Sequence, residues 1–156
     1  YKMKRKLISL LAVIALLIAT AVPTFASSDS VIETEVQHFA DGSYAVIETV
    51  IESQVSLFAA SSTKTAHRTY TYYNNAGKTA WDFTLTATFS YDQKTAKATA
   101  ASTSYKIYVS GWKCASKDSS TTGATAKGKG TFKYLTLTKN VELGLKCSAS
   151  GTITAA

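Results

Sequence analysis

Few side chains of this 156-residue chain could carry covalent, metal or acid–base chemistry: two cysteines, two histidines and ten carboxylates. Neither Cys114 nor Cys147 has a C-x-x-C neighbour, and His38 and His67 complete no zinc spacing with them, so no metal site is expected. An even pair of cysteines in an exported chain predicts a disulfide. Closing a loop of about 34 residues, a Cys114–Cys147 bridge would stabilise the fold by about 3.5–4 kcal/mol through chain entropy. Paired sulfurs leave no thiolate nucleophile. Glycoside hydrolysis needs two facing carboxylates, but the acids after residue 60 (Asp82, Asp92, Asp118 and Glu142) fall mostly at predicted turns or on wet strand faces. His67, beside Arg68 on a predicted strand, reads as a surface or packing histidine. The sequence holds no G-x-S-x-G, no H-E-x-x-H and no phosphate-binding glycine loop. The expectation is a protein that is not an enzyme and uses no cofactor.

The aromatic side chains suggest binding instead. Tyr70 and Tyr72 share one face of a predicted strand and Tyr73 points the other way, while Tyr108 and Trp112 sit near the end of another. Tyrosine beside lysine and threonine can stack on sugar rings or lie against a cell-wall polymer. Tyr70, Tyr72, Tyr73, Tyr108 and Trp112 are therefore the candidate ligand surface. The competing expectation is that these rings fill a β core, which tyrosine also suits. Nucleic acid is not an expected partner, because the basic charge is moderate and no RNP-type motif appears.

The chain that must position these residues begins with a removable segment. Lys4-Arg5-Lys6 precedes an uncharged apolar run over residues 7–22, followed by Pro23 and the small residues Thr24 and Ala26. That order is a secretory signal peptide cut after Ala26. The apolar run is short for a membrane span and ends at a proline, so the mature form is expected without one, and the product outside the cell. The formal charge of +7 is inflated by this segment. Residues 27–60 carry Asp29, Glu33, Glu35, Asp41, Glu48 and Glu52 and no base, whereas thirteen bases and four acids follow from residue 61. Such asymmetry suggests parts that attract each other or meet different partners.

Residues 31–52 read as a hairpin about an Asp41-Gly42 two-residue turn, which would oppose Ile32 with Ile51, Thr34 with Thr49, Val36 with Ile47 and Glu35 with Glu48. A helix over residues 46–58 is the alternative. Residues 53–64 read as a linker. Their Phe58-Ala59-Ala60-Ser61-Ser62 echoes Phe25-Ala26-Ser27-Ser28 at the first cut, so a second processing site, making 27–60 a propeptide, stays open. A basic β domain is expected over residues 61–156, with the β pattern itself running from Thr65. Trp81, Phe83, Leu85, Ala87, Phe89 and Tyr91 alternate with Asp82, Thr84, Thr86, Thr88 and Ser90, one face core and one wet. Asn74–Gly77 and Asp92–Thr95 are turns, residues 116–123 a polar loop, and residues 124–134 a Lys/Gly strand. The glycines of that strand suggest bulges or an edge, guarded by Lys127, Lys129 and Lys133. The fold class is all-β, an antiparallel sandwich or barrel of about six to eight strands.

Asp41-Gly42-Ser43-Tyr44, Thr71-Tyr72-Tyr73-Asn74 with Gly77-Lys78, Trp81, Ser110-Gly111-Trp112-Lys113-Cys114 and Cys147-Ser148-Ala149-Ser150-Gly151 occur in this order. In these features the chain resembles a group of small, secreted, functionally uncharacterised β-rich proteins of Gram-positive anaerobic bacteria. The resemblance implies export and a β fold and brings no catalytic or ligand residues. The functional expectation is a secreted, non-enzymatic binding or cell-surface-associated module for a glycan or cell-wall polymer. The alternative is an antimicrobial or toxin-like protein whose acidic segment 27–60 masks a basic domain.

Overall fold

A computed structural model describes residues 29–53 and 62–156. The proposed signal peptide and most of the linker with its second junction lie outside these residues. Among the described residues there are nine strands and no helix: β1 (Asp29–His38), β2 (Tyr44–Ser53), β3 (Ser62–Tyr73), β4 (Thr79–Tyr91), β5 (Ala96–Ile107), β6 (Lys113–Thr122), β7 (Thr125–Tyr134), β8 (Leu137–Cys147) and β9 (Ile153–Ala155). They build two antiparallel sheets, ordered β1-β2-β3-β4-β5 and β6-β7-β8-β9. The acidic hairpin is thus two strands of the first sheet, joined to the rest through ten β2–β3 register pairs from Tyr44↔Tyr73 to Ser53↔Lys64.

The core lies between the sheets and follows the period of β4. Trp81, Phe83, Leu85, Ala87 and Phe89 are fully buried, while the polar residues between them face outward, half-buried. Across the core β7 shows the same period with small residues. Ala126, Gly128, Gly130 and Phe132 are buried and Lys127, Lys129 and Lys133 are exposed. The β7 glycines mark neither an edge nor a bulge, because β7 lies between β6 and β8. They let the sheets approach. A Cβ at Gly128 would stand 2.7 Å from Thr103 Cγ2 and 3.3 Å from Leu85 Cδ1, and one at Gly130 would stand 3.0 Å from Phe83 Cε2.

Several expectations need correction. Residues 116–122 are not loop but strand, in β6, whose polar side chains are mostly exposed. The β1–β2 register differs by one residue, pairing Val36↔Val46, Glu35↔Ile47 and Thr34↔Glu48, so the like-charge Glu35/Glu48 pair never forms. The cause is the turn. Phe39 N donates to Ser43 O at 2.9 Å, Gly42 N donates to Phe39 O at 3.1 Å, and only Gly42 has a positive φ. This is a three-residue loop with a left-handed glycine, not a two-residue one.

The expected disulfide is absent, and both cysteines are free. Cys114 lies opposite Phe132, whereas Cys147 N bonds Ala124 O beside the other end of β7. The stretch of β7 from Phe132 to Thr125, at about 3.3 Å per residue, separates the two by roughly 20 Å, and a bridge needs Cα atoms within about 7 Å.

Candidate binding site

Antiparallel alternation brings every odd-to-even connection to one end of the stack: the loops after β1, β3, β5 and β7. A cavity of about 300 Å³ opens among them, lined by Asp41, Ser43, Tyr72, Asn74, Asn75, Val109, Trp112, Tyr134 and Leu137. Its walls are aromatic. Trp112 packs edge-on against Tyr72 at 5.4 Å between ring centroids and tilts against Tyr134 at 5.5 Å. Tyr134 can lie there because Gly111, at φ +95, has no Cβ; one would stand 2.6 Å from the tyrosine ring. Lys139 of β8 passes its ammonium over Phe39 at 3.9 Å and Tyr72 at 5.2 Å, and reaches Asp41 Oδ2 at 3.8 Å.

The polar lining comes from turn residues. Asp41 Oδ1 accepts from both the hydroxyl and the main-chain N–H of Ser43. Those bonds, first the hydroxyl's, hold the carboxyl below its usual range. Asn74 Oδ1 accepts from Ala76 N at 3.1 Å and Lys78 N at 2.9 Å, which fixes the β3–β4 turn. Aromatic walls with a few fixed amide and carboxylate groups make a site that can hold a polar ring by stacking and hydrogen bonds.

The five sequence-chosen rings do not form one surface. Tyr72 and Trp112 reach the cavity as its floor, 2% and 8% exposed. Tyr70 belongs to the core, stacked on Trp81 at 5.5 Å. Burial and the neighbouring Tyr72 push its phenol up to about 12. Tyr70 and Tyr72 therefore cannot offer open stacking faces, because period two aims them inward, and Trp112, just before β6, is buried by packing on Tyr72 and Tyr134. Tyr73 and Tyr108 lie on the opposite, outer face. Tyr73 stacks on Tyr44 at 4.6 Å, and Tyr108 donates its hydroxyl to Asp82 Oδ2 at 2.6 Å, which raises the phenol's pKa. Tyr134, Asp41, Ser43, Asn74 and Asn75 are not read from the sequence as binding residues. Their shared signal was position: Asp41 and Asn74 open turns whose connections share one end.

His67 sits between a hydroxyl and a carboxylate on the first sheet. Its Nδ1 lies 3.0 Å from Thr86 Oγ1 and its Nε2 2.8 Å from Glu52 Oε1. This is the order of a hydroxyl nucleophile, its base and an orienting acid. Yet it lies on an open sheet face whose main-chain N–H groups serve the β2–β3–β4 ladders, so the face supplies no oxyanion donors. Among the described residues no cluster of His, Cys, Asp and Glu could hold a metal, and no helix is long and apolar enough to cross a membrane. No protein family, curated protein or solved structure matches this chain.

Proposed function

We propose that this is a secreted, non-enzymatic binding module that takes a glycan or cell-wall polymer at its aromatic end. The export half of the reading is supported by the basic, apolar and small-residue order of residues 4–26. The binding half is carried by one observation: Tyr72, Trp112 and Tyr134 wall a cavity whose other lining includes Asp41, Ser43, Asn74 and Asn75. Stacking on the exposed Tyr134 ring, above a floor of the buried Tyr72 and Trp112, and hydrogen bonds to the turn residues select a ring with an apolar face and a hydroxylated rim. A glycan array and a peptidoglycan pull-down test the reading. Retention that falls in Tyr134→Ala and Asn75→Ala, with the melting temperature kept, is the expected result. Equal retention of those variants removes the cavity from the reading, and no retention at low salt removes the ligand class.

The alternative, a basic toxin unmasked by loss of residues 27–60, loses support from the pairing of β2 with β3. Excision would expose β3 as an edge and take away every hydrogen-bond partner that the Arg68 side chain has among the described residues: Glu33, Glu35 and Thr49. A mass spectrum of the secreted product separates the two. A start near Ser27 fits the binding module, and one near Ser61 the toxin.

A further inference from the structure

The two flanks of the stack are finished differently. Along β5 and β6 they are stitched together: Lys117 Nζ donates to Thr103 O at 3.0 Å, Ser119 Oγ to Ala101 O at 3.2 Å, and Ala98 N to Gly123 O at 2.9 Å. On the other flank the second sheet ends in the three residues of β9, while the first continues through β2 and β1. Between them runs a groove of about 630 Å³, lined by Glu33, Ile51, Lys64 and residues 151–155.

One wall of this groove is a strand edge. The connection into β9 and the residue after it bond toward β8: Ser148 N donates to Thr152 O at 2.8 Å and Ala156 N to Gly144 O at 3.1 Å. Main-chain groups alternate along a strand. Those of Ile153 and Ala155 therefore point away from β8, toward the groove, where no described strand pairs with them. The facing wall supplies charge. Arg68 is buried and bonds this wall by Nη1 to Glu33 Oε2 and Thr49 Oγ1 and by Nη2 to Glu35 Oε1, each near 3 Å. Lys64 is also committed, donating to Gly151 O at 2.7 Å. Glu33 and Glu35, 38% and 46% exposed, each keep a second oxygen with no donor among the described residues. Arg68 and Lys64 balance the two carboxylates in charge, and the acceptors left without a donor among the described residues are the second oxygens of Glu33 and Glu35.

We propose that this groove docks an extended polypeptide segment, which pairs with the outward edge of β9 and sets a Lys or Arg against the free oxygens of Glu33 and Glu35. A strand edge recognises main chain, because its donors and acceptors repeat at strand spacing. The site is separate from the aromatic cavity, and its ligand is protein.

Amide chemical shifts of the isotope-labelled protein, titrated with two blocked octapeptides, one alternating Lys and Val and one alternating Glu and Val, test the proposal. The Lys peptide is expected to move the signals of Ile153, Ala155 and Glu35, and the Glu peptide to bind several-fold more weakly. Ala155→Pro removes one outward N–H and none of the bonds to β8. It is expected to weaken the Lys peptide about five- to tenfold, the worth of one main-chain hydrogen bond. Should that variant fail to fold, Glu35→Gln takes its place and must weaken the Lys peptide without weakening the Glu peptide. The proposal is overturned by no shifts in the groove, by shifts confined to the outer sheet faces, by equal binding of the two peptides, or by unchanged affinity in a folded variant.

Discussion

β4 and β7 face each other across the core and obey the same period of two with opposite volumes. β4 sends Trp81, Phe83 and Leu85 inward, and β7 answers with Phe132, Gly130 and Gly128. Trp81 stacks on Phe132 at 3.8 Å, and Leu85 fills the space that Gly128 leaves. Alternation decides which residues of a strand point inward; it does not decide how much room they find. That second quantity belongs to the pair of strands. Core interiors are packed closely enough that both partners must be right together.

The sharpest break of this pairing is Phe132→Ala. Phe132 is the one large side chain of β7 that is fully buried, and it also meets Phe83 and Tyr105 edge-on, at 6.0 and 5.9 Å. Its removal is expected to cost about 3–5 kcal/mol, read as a lower urea midpoint with unchanged slope. A loss below about 1 kcal/mol would mean that the two faces are not interlocked as described. The opposite change, Gly128→Ala, adds volume where β4 and β5 leave none and is expected to cost about 1–3 kcal/mol. The nearest atom is Thr103 Cγ2, so Thr103→Ser should recover much of that loss. A double-mutant cycle without coupling would separate Gly128 from its supposed neighbour.

The contrast also explains which parts of the fold were legible in the sequence. β4 announces itself through strict alternation of large and polar residues, and the Asn74–Gly77 and Asp92–Thr95 turns through residues that bond their own backbone. β7 does not, because an inward glycine looks like a loop or edge glycine until the facing strand is known. β6 reads as a loop because it buries little; Lys117 and Ser119 cap β5 carbonyls instead of filling the core. Even parity predicted the disulfide, but topology put the two cysteines at opposite ends of one sheet, and parity carries no distance. The aromatic cavity was half legible. Tyr72 and Trp112 were singled out as binding residues, but the sequence does not say that their strands end beside the Asp41 and Asn74 turns.

Raising the pH loosens the same core more gently. Tyr70, like Phe132, stacks on Trp81, and its phenol keeps its proton up to about 12 against an ordinary value of 10.0. The folded state holds the proton more tightly than the unfolded chain. The stabilisation is therefore complete below pH 10 and is lost as pH climbs toward 12. Urea midpoints across that range should fall in the native protein and fall less steeply in Tyr70→Phe. Parallel slopes would place the alkaline sensitivity elsewhere, with Tyr108 the next group to remove, since its bond to Asp82 shifts it in the same direction.

The smallest expected effect belongs to the second sheet alone. A reductant should leave the melting temperature where it is, because Cys114 and Cys147 are free at opposite ends of that sheet. Had they been bridged, a closed loop of this length would be worth about 3.5–4 kcal/mol, a shift of roughly 10 °C or more on reduction. Burial raises the pKa of both thiols, so alkylation at neutral pH should be slow. Cys147 is buried and Cys114 only partly so, which makes Cys114 the first to react. An intact mass two hydrogens short of the dithiol, or a reductant-dependent melting temperature, would require β6 to leave its register against β7. The inner face that Phe132 and Gly128 offer to β4 would then have to be redrawn as well.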